Sequence, residues 1–166
     1  MWSMSEWFLA YGFADIGDEL LIGAYPLDRN DVTMLGRLRI DRIVNLVEDS
    51  EYGPGVRDAV VEALEAAGII ERQLPLTDFA GLPSLEIETA VNQVNEWLDE
   101  GHRVYLHCRA GWQRSAAVAA GVVAIREGVE IDEALAIVQQ RKPTAEPLPH
   151  QRDDLEWWWR ERAPAR

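Results

Sequence analysis

The single cysteine of the chain lies in a segment whose residue types can bind and attack an oxyanion. Residues 103–115 read RVYLHCRAGWQRS, which is an apolar run, a glycine-containing loop and the start of a stretch that favours a helix. Backbone N–H groups at a helix N-terminus have no intrahelical partner and carry partial positive charge. Because a thiol in such surroundings ionises more readily than usual, we expect Cys108 to be a thiolate at neutral pH.

The residues that follow Cys108 extend this anion site. Five residues separate Cys108 from Arg114, whose planar guanidinium can bind two phosphate oxygens at once. Ser115 offers a hydroxyl that can stabilise the sulfur as a leaving group, and we expect His107 to organise the loop backbone by hydrogen bonding and not to donate a proton. The loop positions predicted to contact substrate are Arg109, Ala110, Gly111, Trp112 and Gln113.

The order of these residues resembles a known signature. The run from His107 to Ser115 matches H-C-x-x-G-x-x-R-[S/T], which is typical of the cysteine-dependent protein tyrosine phosphatase superfamily, and it is most similar to the dual-specificity type. The resemblance covers about residues 20–151 and implies an α/β fold, with a central mainly parallel sheet flanked by helices in a single domain. Low molecular weight phosphatases and rhodanese-like domains fit the position and surroundings of Cys108 poorly.

A thiolate that cleaves a phosphate monoester needs an acid to protonate the departing oxygen. The predicted strand 69–74 is followed by a loop with one acidic residue, Asp78, and the carboxyl ends of parallel strands open on one side of a sheet. The resemblance agrees, because the general acid of dual-specificity phosphatases precedes the nucleophile by some thirty residues. Asp49 is a weaker candidate, since Glu48 and Glu51 beside it suggest a solvated acidic rim.

Periodicity predicts alternating strands and helices. The predicted strands are 20–24, 42–47, 69–74 and 103–107. The predicted helices are 28–38, 56–67 ending at Gly68, a helix capped by Ser84 and ending at Gly101, 114–141 with a break at Gly128, and a last helix with the tryptophan run. The aromatic start of the chain (Trp2, Met4, Trp7 and Phe8) is expected to pack on the domain, with residues 157–159 as one suggested partner, or to form a partner-docking patch.

Composition narrows the function classes. The chain has 166 residues and a formal net charge of −13, which disfavours nucleic acid and stable association with anionic membranes. One cysteine allows neither an internal disulfide nor a cysteine-rich zinc site, so we expect an intracellular, cytoplasmic protein that needs no metal or cofactor. The sequence does not indicate an oligomeric state.

The expected reaction is a two-step displacement through a phosphocysteine, and the partner is a phosphorylated protein or a small phosphate monoester. A basic residue at the position of Arg109 is common in relatives that prefer phosphoinositides. Those relatives often carry a second basic residue where this chain has Trp112, which can instead stack on an aromatic ring. The sequence therefore favours phosphotyrosine protein or aryl phosphate. A phosphoinositide or phosphosugar is the alternative, and a phosphate-binding pseudophosphatase is a further one.

Overall fold

The structure, a computed structural model, describes residues 3–162. Within this part, five strands form one sheet and seven α-helices pack around it. The strands are β1 (Phe13–Asp15), β2 (Leu20–Gly23), β3 (Arg42–Asn45), β4 (Ile70–Gln73) and β5 (Val104–His107). The helices are α1 (Glu6–Tyr11), α2 (Arg29–Arg37), α3 (Val56–Ala67), α4 (Ser84–Asp99), α5 (Arg114–Glu127), α6 (Ile131–Arg141) and α7 (Pro149–Arg162).

The sheet order is β1-β2-β5-β3-β4, with β1 antiparallel to β2 and every other neighbouring pair parallel. The last strand in the chain, β5, is central, because Leu106 is aligned with Ile22 on one side and Val44 on the other. The parallel strands therefore open their carboxyl ends on one edge, and Cys108 follows the central strand there. This confirms the predicted α/β fold with a mainly parallel sheet flanked by helices.

Alternate side chains of the strands enter two separate cores. Ile22 and Leu106 point to the face covered by α4, α5, α6 and α7, whereas Leu21 and Tyr105 point to the face covered by α1, α2 and α3. The inner strands β2, β3 and β5 are thus buried on both faces, as expected for parallel strands, whereas the edge strand β4 is partly exposed.

Helix α5 lies inside the protein, and its residues 114–124 are all buried. Small residues permit this burial: a Cβ added at Gly121 would lie 2.8 Å from Val91 of α4 and 3.1 Å from Trp158 of α7. The N-terminus of α5, which carries Arg114, is therefore held at a fixed place at the sheet edge.

Most predicted helix ends are confirmed by their caps. Gly68 and Gly128 end α3 and α5 with φ of +71° and +68°, a conformation that favours glycine. The prediction that Ser84 caps α4 was wrong by one position, because the extended Pro83 is the cap and Ser84 is the first helical residue. No helix among residues 3–162 is long and apolar enough to cross a membrane.

The aromatic start forms α1, which was not predicted as a helix, and it packs on the domain as expected. Phe8 is fully buried in the core beneath α2 and α3, whereas Trp158 and Trp159 belong to the core on the other face of the sheet. The suggestion that the two aromatic segments pack together was therefore wrong. Trp2 lies outside the described residues.

Candidate active site

The loop from Cys108 to Gln113 joins β5 to α5 and has the tight backbone that the sequence predicted. Gly111 has φ of +78°, and a Cβ at this position would lie 2.5 Å from the carbonyl carbon of Gly23. Only glycine accommodates both the left-handed backbone and this close approach to β2. The loop is therefore fixed against the neighbouring strand as well as at its own two ends.

The start of α5 leaves backbone donors for a ligand. Gln113 precedes the helix, and its side chain makes no capping hydrogen bond. The N–H groups of the first turn are thus available to an anion in the loop. Cys108, with 3% of its surface exposed, lies at this end, and its Sγ is 3.3 Å from Oγ of the buried Ser115. That distance suits a hydrogen bond from the hydroxyl to a sulfur anion.

Arg114 is buried, and most of its donors are bound. Its Nη1 and Nη2 donate to the two carboxylate oxygens of Glu51 at 2.8 and 2.7 Å, and Nη1 also donates to the carbonyl of Leu76 at 2.9 Å. Burial alone would lower the pKa of Arg114, but the hydrogen bonds with Glu51 and the negative charges of Cys108, Glu51 and Asp78 together outweigh it, and the pKa is raised. The guanidinium is therefore a fixed positive charge beneath the loop.

Glu51 is the main correction to the predicted site. The prediction that Glu51 belongs to a solvated acidic rim was wrong, since only 9% of its side chain is exposed. A short 3₁₀ turn, Asp49–Glu51, directs Glu51 inward, where its carboxylate also accepts from the backbone N–H of Glu48 at 2.8 Å. Burial alone would raise the pKa of Glu51, but the Arg114 hydrogen bonds, the Glu48 backbone hydrogen bond and the charges of Arg114 and Arg109 together lower it.

Asp78 lies beside the Arg114 guanidinium, whereas Asp49, the other candidate for the acid, does not. The Asp78 Oδ1 is 3.4 Å from Nη2 of Arg114, and both residues line the pocket that contains Cys108. Asp49 is exposed, pairs with Arg57 at 3.8 Å and does not line that pocket. Of the two acidic candidates, the structure brings only Asp78 to the cysteine loop, and its role as the acid stays a prediction.

Helix α7 holds the backbone that follows Asp78. Asp154 accepts a hydrogen bond from the N–H of Leu82 at 2.7 Å, and Nε2 of His150 is 2.8 Å from the carbonyl of Phe79. A carbonyl only accepts, so this nitrogen of His150 carries the proton. The loop that carries Asp78 is thus bound to α7 at both of these points.

One buried nitrogen in the site is available to bind an oxyanion. The Nε of Arg114 is buried and has no hydrogen-bond partner among residues 3–162. Glu51 binds the edge formed by Nη1 and Nη2, and Nη1 also donates to backbone carbonyls. The edge formed by Nε and Nη2 makes no hydrogen bond to a backbone carbonyl of the described residues. Two oxygens of a tetrahedral anion match this edge.

His107 is fully buried behind the loop. Its Nδ1 is 3.1 Å from the carbonyl of Cys108 and must donate, while its Nε2 has no partner within the described part of the chain. Burial lowers the pKa of His107 to about 4, so the ring is neutral at physiological pH. This geometry matches a residue that orients the loop backbone, as the sequence suggested.

The pocket above Cys108 has a volume of about 250 Å³ and a largely aromatic wall. Of the predicted substrate contacts, Arg109, Ala110, Trp112 and Gln113 line it, whereas Gly111 lies against Gly23. The full lining is Trp7, Tyr11, Asp78, Phe79, Cys108, Arg109, Ala110, Trp112, Gln113 and Arg114.

Comparison with known proteins identifies the family. Residues 22–160, most of the chain, match the family described as dual specificity phosphatase, catalytic domain. The chain belongs to this family. It is therefore a cysteine-based phosphatase, and the limits of 20 and 151 that the sequence suggested for the core stay a prediction.

Individual known proteins are similar to this chain over most of its length. It is 29% identical over 150 residues to the phosphatidylglycerophosphate phosphatase PTPMT2 of Arabidopsis thaliana, an alignment that covers 90% of this chain and 63% of the relative. The chain thus spans less than two thirds of that protein. The fold is similar to that of Tk-PTP in the active form (TM-score 0.76, 24% identity, 88% of this chain and 95% of the other) and of PTPMT1 (TM-score 0.78, 21% identity, 93% and 99%).

Three features of the phosphatase site were not found from the sequence. Glu51 had no local signal that distinguished it from its acidic neighbours. Trp7 and Tyr11 line the pocket from α1, and only their aromatic character marked them. Lys142, at the end of α6, is buried, and burial lowers its pKa, while the nearby Cys108 charge has a smaller effect in the opposite direction. Nothing in the sequence distinguishes this lysine from one on the surface.

Proposed function

We propose that this phosphatase hydrolyses the phosphate monoester of a glycerophospholipid headgroup. The observation that carries the proposal is an anion cradle, formed by Arg114 and the start of α5, beneath an aromatic rim in which Phe79 is 65% exposed and Trp112 40% exposed. Exposed aromatic side chains suit the boundary between an apolar phase and water, where a lipid headgroup lies. The relative PTPMT2, which carries the name phosphatidylglycerophosphate phosphatase, and a structure of PTPMT1 in complex with PI(5)P support this substrate class.

The proposed reaction has two displacements. The Cys108 thiolate attacks phosphorus, the phosphorus–oxygen bond to the alcohol breaks, and Asp78 gives its proton to the departing oxygen. A phosphocysteine results. The ionised Asp78 then takes a proton from water, whose oxygen attacks phosphorus and releases inorganic phosphate, while the Ser115 hydroxyl stabilises the departing sulfur anion.

The transferred phosphoryl group is held by charge and by oriented donors. The Nε and Nη2 edge of Arg114 binds two equatorial oxygens, and the N–H groups at the start of α5 bind the rest. Glu51 keeps this edge in place by binding the adjacent edge, which is formed by Nη1 and Nη2. Arg109 at the pocket mouth supplies a second positive charge, which suits a headgroup with a further phosphodiester.

A second groove gives room for the remainder of a large substrate. It has a volume of about 560 Å³, shares Trp112 and Gln113 with the active-site pocket, and includes Pro147 and Leu148 in its lining. A lipid that places its phosphate over Cys108 can extend its apolar part across Trp112 into this groove.

Phosphotyrosine protein or another aryl phosphate is the second candidate. The ring of a phosphotyrosine fits between aromatic side chains, and Trp112 is exposed enough to stack on it. This was the substrate that the sequence favoured, and it stays a prediction.

A phosphate-release panel distinguishes these substrates. Phosphatidylglycerophosphate and a phosphoinositide in neutral-detergent micelles are compared with phosphotyrosine and phosphoserine peptides; neutral detergent is used because the net charge of −13 opposes adsorption to anionic surfaces. We expect the highest kcat/KM with a lipid, and no turnover but retained binding in Cys108→Ser. A higher kcat/KM with the phosphotyrosine peptide would reject the lipid proposal, and binding without turnover in the unaltered protein would reject catalysis.

A further inference from the structure

Helix α1 lies before the family match, which begins at residue 22, yet it forms part of the active-site pocket. Trp7 and Tyr11 both line the cavity that contains Cys108. The antiparallel direction of β1 explains how they arrive there. Phe13 is aligned with Gly23 at the carboxyl end of β2, so the start of β1, and the helix before it, lie at the active-site edge.

Trp7 contacts the phosphate-binding loop through both its ring and its N–H group. Its Nε1 donates to the backbone carbonyl of Arg109 at 2.8 Å, and the guanidinium carbon of Arg109 is 5.3 Å from the ring centroid. A cation at this distance from an indole face is attracted to it. The Arg109 side chain, which is otherwise long and flexible, is thereby held beside the pocket.

Trp7, Tyr11 and Trp112 form a continuous surface, which we call the aromatic wall. The ring centroids of Trp7 and Tyr11 are 4.3 Å apart, and those of Tyr11 and Trp112 are 5.3 Å apart. The wall thus joins α1 to the loop, and all three of its side chains line the pocket that contains Cys108.

The short helix α1 is anchored firmly enough to hold this wall. The backbone N–H and the hydroxyl of Ser5 donate to the two carboxylate oxygens of the fully buried Asp31, at 2.8 and 2.6 Å. The Ser5 hydroxyl oxygen also caps α1 by accepting from the N–H of Phe8 at 3.2 Å, and Phe8 is fully buried. These contacts fix the opposite face of the helix and leave Trp7 directed at the pocket.

We propose that Trp7 is a specificity-determining residue, whose ring contacts the organic group of the substrate and holds Arg109 at the pocket mouth. Trp7 has no group that titrates near neutrality, and the two displacements use Cys108, Arg114 and Asp78, so its effect is on substrate selection and not on bond breaking. This inference rests on the proposed cysteine mechanism but not on the choice of a lipid substrate.

The test separates affinity for the organic group from affinity for the phosphate. Steady-state kinetics are measured with an aryl phosphate that has a fluorescent leaving group, and inorganic phosphate is used as a competitive inhibitor. In Trp7→Ala we expect KM for the aryl phosphate to rise roughly two- to tenfold, the range that one aromatic contact gives, with the inhibition constant of phosphate changed less than about twofold. Trp7→Phe, which keeps a ring, should recover most of the affinity.

Two further variants control for the fold. Leu9→Ala changes the exposed side of the same helix, where Leu9 is 59% exposed, and should leave KM and the inhibition constant unchanged. Tyr11→Ala removes part of the aromatic wall without touching the Trp7 hydrogen bond to the loop, and should raise KM in the same selective way. If Trp7→Ala does not fold, Tyr11→Ala still tests whether the aromatic wall contacts the substrate.

Two results would overturn the inference. An unchanged KM in both Trp7→Ala and Tyr11→Ala would mean that the wall does not contact the substrate. An equal loss of affinity for aryl phosphate and inorganic phosphate would mean that Trp7 only supports the loop. Because the assay uses an aryl phosphate, a failure of the lipid proposal would appear separately, as absent lipid turnover by the unaltered protein.

Discussion

The burial of a neutral histidine behind the catalytic loop predicts a specific pH dependence of stability. Burial lowers the pKa of His107 to about 4 from an ordinary value of 6.5. Above pH 6.5 the ring is neutral in both folded and unfolded chains, so it adds no pH dependence there. Between pH 6.5 and pH 4 the unfolded chain binds a proton that the folded chain does not, and the free energy of unfolding falls as pH falls.

The magnitude follows from these two pKa values. Each pKa unit corresponds to about 1.4 kcal/mol, so His107 destabilises the fold by about 2 kcal/mol when the pH is lowered from about 7.5 to about 5. Below pH 4 both states carry the proton, and the contribution levels off. Carboxylates contribute mainly below this window, which makes pH 5 a suitable lower limit.

The matched variant is His107→Asn, because an asparagine amide can replace Nδ1–H as the donor to the Cys108 carbonyl, which lies 3.1 Å from Nδ1. Urea unfolding is followed for both proteins at several pH values between about 7.5 and about 5. We expect the stability of the unaltered protein to fall by about 2 kcal/mol more than that of the variant over this interval. Parallel pH profiles would refute the reasoning, since they would mean that the pKa of His107 is the same in the folded and the unfolded chain.

Three further predictions concern the acid, the arginine and the loop that carries the acid. Asp78→Asn should lower kcat about 10²- to 10⁴-fold for an alkyl phosphate, whose alkoxide must be protonated, and far less for a nitrophenyl phosphate; equal losses in the two kinetic assays would contradict its role as acid. Glu51→Gln should destabilise the fold by about 2 kcal/mol, because it removes the bidentate counter-ion of the buried Arg114 charge, and should weaken inhibition by inorganic phosphate; unchanged urea unfolding and phosphate inhibition would contradict the importance of the pair. Asp154→Ala removes the hydrogen bond to Leu82 and should lower kcat for alkyl phosphates several-fold, with KM nearly constant and about 1 kcal/mol of stability lost in urea; an effect on KM alone would contradict a role in holding the Asp78 loop.

The part of the site that is contiguous in the chain was predictable. Cys108, Gly111 and Arg114 lie within one strand-loop-helix segment, and the positive φ of Gly111 and the helix start at Arg114 follow from local backbone chemistry. The four parallel strands were also found, because each is a short run between helical patterns. Their order was not, since the sequence alone does not say that β5 is inserted between β2 and β3.

Contacts between residues that are distant in the chain could not be predicted from the sequence in the same way. Glu48, Asp49 and Glu51 are chemically similar, and the difference between a solvated carboxylate and the Arg114 partner depends on the direction of one turn. Helix α1 has six residues, which is too short for a periodic signal and too short to be stable alone. It exists because Phe8 is buried and Ser5 binds Asp31, and neither contact can be inferred from residues 3–11.

The direction of a strand decides which neighbouring segment reaches the cysteine loop. This explains why the sequence could place Asp78 at that loop and could not place Trp7 there. Ligands bind at the carboxyl ends of parallel strands, so the segments after β3, β4 and β5 deliver Glu51, Asp78 and Cys108 to one edge. An antiparallel strand reverses this rule, because the segment before it, and not the one after it, lies at that edge. Since β1 was not predicted from the sequence, α1 could not be assigned to the pocket. An edge strand that runs against its neighbours is therefore a place to look for substrate-contacting residues outside the residues that define the family.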